Sequence, residues 1–95
     1  MKSVDHDAWI KQKLQNPKFA AEYLNAASED EDPRVYLAAF RQVVDARGGI
    51  KQVAEKTHLS KETLYRTLSS RGNPTIRTLN AVLRATGLKI AVTAS

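Results

Sequence analysis

Hydrophobic residues recur at helical spacing in several segments of this chain, most clearly between residues 50 and 69. In IKQVAEKTHLSKETLYRTLS the apolar positions are Ile50, Val53, Ala54, Leu59, Leu64 and Leu68. Their phase breaks once, near His58, which predicts two short helices around a three-residue turn. Ser60 stands where the second helix needs a cap, because its hydroxyl can accept from a free backbone N–H. The pattern is typical of a DNA-binding helix-turn-helix, whose second helix enters the major groove.

The N-terminal third carries two further apolar stripes. A helix over about residues 7–15 is predicted by three apolar residues on one side, Trp9, Ile10 and Leu14. Asn16 and Pro17 interrupt it, since proline is well tolerated in the first turn of a new helix. The stripe of that new helix consists of Phe19, Ala20, Tyr23, Leu24 and Ala27. Residues 28–32, SEDED, cannot bury anything and are predicted to form a solvated link.

Two more helices flank the central motif. Asp32 and Pro33 start a helix that runs to about Arg47, with a buried stripe of Tyr36 or Leu37, Phe40, Val43 and Val44. After a loop at residues 70–74, Thr75 caps a last helix with four inward residues, Ile76, Leu79, Val82 and Leu83. Gly87 suits the end of that helix. Beyond it, apolar residues alternate at Leu88, Ile90 and Val92, which predicts a short β-strand.

We therefore expect an all-α fold of five helices with a short C-terminal β-strand. Residues 1–31 are assigned to an N-terminal helical extension, and residues 32–95 to the helix-turn-helix domain with the strand. A lone strand needs a partner for its backbone groups. We expect the strand to pair with its copy across a homodimer. The alternatives are that it pairs with another protein or does not pair. The last helices are the other candidate for the dimer contact.

Composition narrows the class of protein. A chain of 95 residues forms one small domain, and the absence of cysteine suits a reducing cytosol. No apolar run approaches the roughly 18 residues that span a bilayer, and the N-terminus lacks the apolar core of a signal peptide. We expect a cytoplasmic protein with no membrane contact.

Charge is distributed unevenly along the chain. Residues 1–32 hold four lysines and seven acidic residues, a formal charge of −3. Residues 33–95 hold eleven lysines or arginines and three acidic residues, a formal charge of +8. A basic block that coincides with the central motif is the electrostatic pattern expected for a nucleic-acid partner.

Catalytic and metal chemistry lack their usual residues. His6 and His58 are far apart, and neither stands at metal-ligand spacing. The chain has no cysteine nucleophile, no P-loop and no paired carboxylates outside the acidic link. We expect no enzyme activity, no metal site and no cofactor.

The second motif helix supplies the candidate base contacts, Lys61, Glu62, Thr63, Tyr65 and Arg66. Lys61 can donate to guanine and Glu62 can accept from cytosine, although Glu62 at a helix start also simply favours the dipole. Arg66 can reach a base or a phosphate, and Tyr65 either contacts DNA or packs on the neighbouring helix. The hydroxyl of Thr63 can instead turn back to the backbone. Candidate phosphate contacts cluster at helix N-termini and in the following loop: Lys51, Gln52, Arg71, Asn73, Thr75 and Arg77.

The stretch GGIKQVAEKTHLSKETLYRTLSSRGNPTIRTLNAVLRATGLKIAV resembles the DNA-binding half of the addiction-module antidote family. These are HigA-like antitoxins with a lambda-repressor-like helix-turn-helix bundle of the Cro and Xre type. With PKFAAEYLNAA and the acidic link, the resemblance extends from about Trp9 to Val92. It implies a cytoplasmic bacterial or prophage protein that binds a small, mRNA-cleaving toxin of the RelE/ParE-like class. It also implies repression of the promoter that the two genes share.

Within this resemblance, the N-terminal segment is the candidate toxin-binding region, with Trp9, Phe19, Tyr23 and Leu24 as its contact residues. Its net negative charge complements a basic toxin, while the alternative is that these residues pack into the core. Two other functions remain open at this point. The chain is either a stand-alone phage-type repressor or a protein-interaction module without specific DNA binding.

One residue departs from the usual pattern of this motif class. Four residues after Ala54, where glycine is usual because φ is often positive, the chain has His58. Histidine tolerates the left-handed region better than most residues. We therefore predict a positive φ at His58.

Overall fold

The computed structural model describes residues 2–94, with side chains from residue 6 onward. Over this range it forms six α-helices: α1 (Lys2–Lys13), α2 (Pro17–Ala27), α3 (Pro33–Ala46), α4 (Gly49–Thr57), α5 (Lys61–Thr67) and α6 (Ile76–Ala85). The expected all-α class fits these elements. The expected total of five helices is wrong by one, although the break at Asn16 and Pro17 that separates α1 from α2 lies where the sequence predicted it.

The predicted C-terminal β-strand is also wrong. The amide of Leu88 donates to the carbonyl oxygen of Leu83 at 2.8 Å, which completes the end of α6. Within the described residues, positions 89–94 form no backbone–backbone hydrogen bond and lie in no regular element. Val92 is 93% exposed. Alternating apolar residues do not make a strand without a neighbouring strand to pair with.

Four of the helices begin at a side-chain cap, and each cap accepts from a backbone amide of the first turn. The caps are Asn16 for α2, Asp32 for α3, Ser60 for α5 and Thr75 for α6. Proline follows at the first helical position of α2 and α3, where it removes no helical hydrogen bond. The Arg34 guanidinium donates to the Asp32 carboxylate and holds the pKa of Asp32 below its ordinary value.

One apolar core receives residues from all six helices. Its largest fully buried side chains are Phe40, Leu14, Leu64, Leu68, Val43, Val53 and Val82. Ile10 of α1 and Ala20 and Leu24 of α2 belong to the same cluster. The first two helices therefore share their core with the rest of the chain, and the division at residues 31 and 32 remains a proposal about function.

Two residues lie further from this core than the sequence suggested. Ile76, expected to face inward, is 66% exposed because it is the first residue of α6 and lies beyond the core. Leu79, Val82 and Leu83 make the inward contacts of that helix. Ile10 of α1 and Leu14, directly after it, are buried, whereas Trp9 of α1 is half exposed. Of the pair left open on α3, Leu37 is buried, and partial burial raises the pKa of Tyr36.

Arg47, directly after α3, links the ends of two other helices. Its Nε donates to the carbonyl oxygen of Thr86 at 2.7 Å, after α6. Its Nη1 donates to the carbonyl oxygens of Gln15 at 2.7 Å and Leu14 at 3.3 Å, after α1. The last carbonyls of a helix have no partner within the helix and carry partial negative charge. One guanidinium thus satisfies carbonyl groups at two helix ends.

The predicted positive φ at His58 is confirmed. His58 has φ 61° and ψ 24°, and it is the only non-glycine residue with a positive φ among residues 2–94. Just before it, the Thr57 hydroxyl donates to the carbonyl oxygen of Val53 at 2.7 Å. The hydroxyl oxygen of Thr57 in turn accepts from the amide of Leu59 at 3.3 Å. The chain therefore leaves α4 in a tight turn with a left-handed residue at its centre.

Replacement of His58 by glycine should raise the free energy of unfolding by about 0.5–1 kcal/mol, because glycine adopts the left-handed region without steric cost. Urea unfolding followed by circular dichroism measures the change. Lys56→Gly is the control, since glycine inside a helix should cost about 1 kcal/mol. A loss at His58→Gly equal to that of the control would contradict strain at this turn.

Replacement of Arg47 by alanine should lower the free energy of unfolding by about 2 kcal/mol, because three carbonyl groups lose a charged donor. Arg84→Ala is the matched control, since the exposed side chain of this arginine on α6 makes no hydrogen bond or ion pair among the described residues. Its loss should stay within about 0.5 kcal/mol. Equal losses of unfolding free energy for the two variants in urea would show that the Arg47 hydrogen bonds do not stabilise the fold.

Candidate nucleic-acid interface

Helices α4 and α5 are joined by residues 58–60 and are held together from inside. Val53 of α4 and Leu64 of α5 are both fully buried, and Ala54 packs on the same core. Ala54 is small enough to let the two helices approach closely. Because the inner side of α5 is fixed in this way, its outer side faces solvent in a defined direction.

The first turn of α5 is organised by Ser60. Its Oγ accepts from the amide of Thr63 at 3.0 Å and donates to the hydroxyl of Thr63 at 2.9 Å. The Thr67 hydroxyl donates to the carbonyl oxygen of Thr63 at 2.9 Å. The hydroxyl of Thr63, a predicted base contact, is thus engaged in the cap and only half-exposed.

The other four predicted base contacts are exposed on the outer side of α5. Lys61 and Glu62 stand in its first turn, and Tyr65 and Arg66 one turn further. Tyr65 is 62% exposed, so the structure does not bury it against a neighbouring helix. No ion pair engages any of these charged side chains among the described residues. Seven residues of α-helix span roughly 10 Å, so the four side chains form one compact group.

The six predicted phosphate contacts lie on either side of this group, and all are exposed. Lys51 and Gln52 belong to the first turn of α4, whose N-cap Gly48 offers no side-chain acceptor. Arg71 and Asn73 lie in the loop after α5, followed by Thr75 and Arg77 at the start of α6. The Thr75 hydroxyl accepts from the amide of Thr78 at 3.1 Å, so the cap of α6 already uses it.

The loop that carries Arg71 is held close to the end of α5. The amide of Gly72 donates to the carbonyl oxygen of Ser69 at 2.8 Å. A Cβ at Gly72 would collide with the backbone carbonyl of Thr67, so only glycine fits this approach. Arg41 of α3 donates to the carbonyl oxygen of Leu68, just after α5. The loop and α5 therefore have a fixed mutual position.

Sequence reasoning missed Arg41 and Arg47 as structural residues. Both are arginines of the α3 region that donate to backbone carbonyls beyond helix ends. The available signal for Arg47 was its place at a helix C-terminus, where a cation is favoured. For Arg41, no signal in the sequence indicated that its partner lies 27 positions away.

The predicted toxin-binding residues do not form one surface. Trp9 and Phe19 lie beside Lys13, whose Nζ is 5.7 Å from the centre of the Trp9 ring and 5.8 Å from that of Phe19. The hydroxyl of Tyr23 donates to Oε1 of Gln42 at 2.6 Å, which links α2 to α3.

Leu24 belongs elsewhere. It is buried in the core and forms the floor of a groove between the acidic link and the C-terminal segment. Of the two alternatives considered for Leu24, packing into the core is the one observed. Only the side of Leu24 that lines the groove is available to a partner.

Other classes of site receive no support from the part of the chain that the structure describes. Residues 2–94 contain no group of three or more histidine, cysteine, aspartate or glutamate side chains that could hold a metal ion. None of the helices in this range is both long enough and apolar enough to span a bilayer.

Comparison with known proteins agrees with the sequence resemblance. The sequence profile of a family described as "probable addiction module antidote protein" matches residues 5–94. A Haemophilus influenzae protein described as uncharacterized is 34% identical over 70 residues, which cover 74% of this chain and 71% of that protein. No solved structure matches the chain significantly. Because the family profile covers nearly the whole chain, the protein belongs to the family of probable addiction module antidote proteins.

Proposed function

We propose that this protein is the antitoxin of a type II toxin–antitoxin module and that it represses transcription by binding operator DNA through α4 and α5. Membership of the antidote family supports the antitoxin role in general. The observation that carries DNA binding is the exposed outer side of α5, where Lys61, Glu62, Tyr65 and Arg66 project from a capped helix with a buried inner side.

In this proposal, α4 and α5 form a helix-turn-helix of the lambda-repressor type, and α5 enters the major groove. Lys61 donates to guanine O6 and N7, and Glu62 accepts from cytosine N4. Arg66 and Tyr65 contact the adjacent base or phosphate. The Thr63 hydroxyl oxygen accepts from Ser60 in the cap of α5, so its own O–H is the group that remains to donate to a base.

Phosphate contacts surround this group of base-reading residues. Lys51, Arg71 and Arg77 bring positive charge to both sides of α5 with no ion pair of their own among the described residues. Backbone amides at the starts of α4 and α6 add further donors, since a helix N-terminus attracts phosphate. These contacts position the protein without reading the sequence.

We further propose that the protein acts as a homodimer. Dimeric repressors of this type bind two half-sites about 34 Å apart, one helical turn of DNA. A single chain measures 34 × 33 × 25 Å, so two adjacent copies have the dimensions to occupy two such half-sites. This match of dimensions supports one chain per half-site.

The toxin-binding role rests on resemblance and on charge. The resemblance implies a small toxin of the RelE/ParE-like, mRNA-cleaving class in the cytoplasm. The net charge of −3 over residues 1–32 complements a basic partner, while the +8 of residues 33–95 complements DNA. The two functions thus use regions of opposite charge.

Replacement of Lys61 by alanine should weaken operator binding by roughly 5- to 150-fold, because it removes a base contact. Binding to a shuffled duplex should barely change. Arg71→Ala should weaken binding to both duplexes and lower the slope of log affinity against log salt concentration by about one. Lys18→Ala, which removes a lysine of α2 away from α5, is the matched control and should alter neither. Fluorescence anisotropy at about 150 mM salt with the duplex upstream of this gene measures all four proteins.

The wild-type protein should prefer the operator over the shuffled duplex by about a thousandfold or more. If the protein binds the upstream duplex and the shuffled duplex with equal and strongly salt-dependent affinity, the repressor function is contradicted. The basic face would then be generic, and a protein-interaction module would explain the chain better. A preferred operator without an adjoining toxin gene would instead indicate a stand-alone repressor.

A further inference from the structure

Two surfaces next to the N-terminal helices differ in charge. The first, here called the Trp9 cleft, lies between α1 and α2 and is lined by Trp9, Lys13, Lys18, Phe19 and Glu22. The second, here called the acidic groove, has a volume of about 960 Å³ and is lined by Leu24, Glu29, Glu31, Leu83, Leu88 and Ile90. The Trp9 cleft carries two cationic side chains, Lys13 and Lys18, and one carboxylate, that of Glu22.

The floor of the acidic groove is apolar. Leu24 of α2 and Leu83 of α6 are buried in the core and present one side to the groove. Leu88 is half-buried, and Ile90, in the irregular C-terminal segment, leaves 41% of its surface exposed. An apolar side chain of a partner would remove this leucine and isoleucine surface from water.

The rim of the acidic groove carries three carboxylates, of which two have no side-chain partner among the described residues. Three acidic residues line it, Glu29, Asp30 and Glu31, against the single cation Lys89. The Asp30 carboxylate accepts from the amide of Asp32 at 2.8 Å. For Glu29 and Glu31, the described residues provide neither an ion pair nor a side-chain hydrogen bond. Both carboxylates are exposed and face a partner without competition.

We propose that the acidic groove, and not the Trp9 cleft, is the docking site for a basic segment of the cognate toxin. This inference rests on the proposed antitoxin function. The segment places lysine or arginine side chains beside Glu29 and Glu31 and one apolar side chain on Leu24, Leu83 and Ile90. Charge complementarity selects the groove, because the Trp9 cleft would oppose such a segment with Lys13 and Lys18.

The position of the groove leaves the DNA-binding face free. Leu83 and Gly87, at the C-terminal end of α6, line the groove, whereas Thr75 and Arg77 at its N-terminal end lie on the proposed DNA face. The ten residues of α6 separate the two by roughly 15 Å. We therefore expect a segment bound in the groove to leave α5 uncovered, so that the protein holds toxin and operator together.

The test is isothermal titration calorimetry of the full chain with the small basic protein encoded beside its gene, at about 150 mM salt. Glu29→Lys and Glu31→Lys should each weaken binding about tenfold, because attraction becomes repulsion. Glu22→Lys makes the same charge change in the Trp9 cleft and should have less than about a threefold effect. Operator affinity of all three variants should stay within about threefold of the wild type, because charges beyond a Debye length are screened.

A second pair of variants tests the apolar floor. Ile90→Ser should weaken toxin binding, whereas Val92→Ser should not, because Val92 is 93% exposed and does not line the groove. Both residues lie in the same irregular segment outside the core, so neither substitution should impair folding. Equal effects of the two substitutions would overturn the assignment of the groove.

The outcomes separate this inference from the proposed function. If Trp9→Ala or Glu22→Lys weakens toxin binding while the groove variants do not, the toxin docks in the Trp9 cleft and only the inference fails. If the wild-type protein does not bind the neighbouring gene product, the antitoxin function fails with it. If the groove variants dissociate a homodimer in analytical ultracentrifugation and leave toxin binding intact, a second copy of the chain occupies the groove and the inference is overturned.

Discussion

The arrangement of the N-terminal helices on the rest of the protein depends on the guanidinium of Arg47. It donates to carbonyl oxygens at the end of α1 and to that of Thr86 at the end of α6. Carbonyl groups at a helix end must find a donor or remain in water, and a planar guanidinium with five N–H donors can serve several at once. Gly87 follows at φ 87°, and a Cβ there would lie 3.2 Å from Nη2 of Arg47, so the chain passes close to this side chain.

Helix α3 consequently contacts both of the regions proposed to bind partners. It packs on α1, α2 and α4, and Tyr23 and Gln42 add a hydrogen bond between α2 and α3. Arg41 reaches the carbonyl oxygen after α5, so the same helix also supports the end of the proposed recognition helix. The negatively charged N-terminal third and the proposed DNA face therefore share a common core.

Local features of the fold were predictable from sequence, and long-range ones were not. Caps such as Asn16 and Ser60, and the left-handed His58, depend on residues within four positions, so the pattern contains the information. The prediction of a C-terminal β-strand was wrong because a strand needs a second strand to pair with, and no local sequence pattern supplies one. The exposed positions on α5 followed from periodicity, whereas the separation of Leu24 from Trp9 depends on how α2 packs against α1, α3 and the C-terminal segment.

If the toxin and the operator bind as proposed, the geometry limits how one can influence the other. The groove and the DNA face lie at opposite ends of α6, roughly 15 Å apart, which exceeds the Debye length of about 8 Å at physiological salt. Direct attraction between a basic toxin and the operator through solvent is therefore weak. Coupling within one chain must instead pass through packed residues that join the groove to the core, among them Leu24 of α2 and α6 with its link to Arg47. Any stronger effect of toxin on repression would arise between the two chains of a dimer, through toxin contacts that fix the spacing of the two α5 helices.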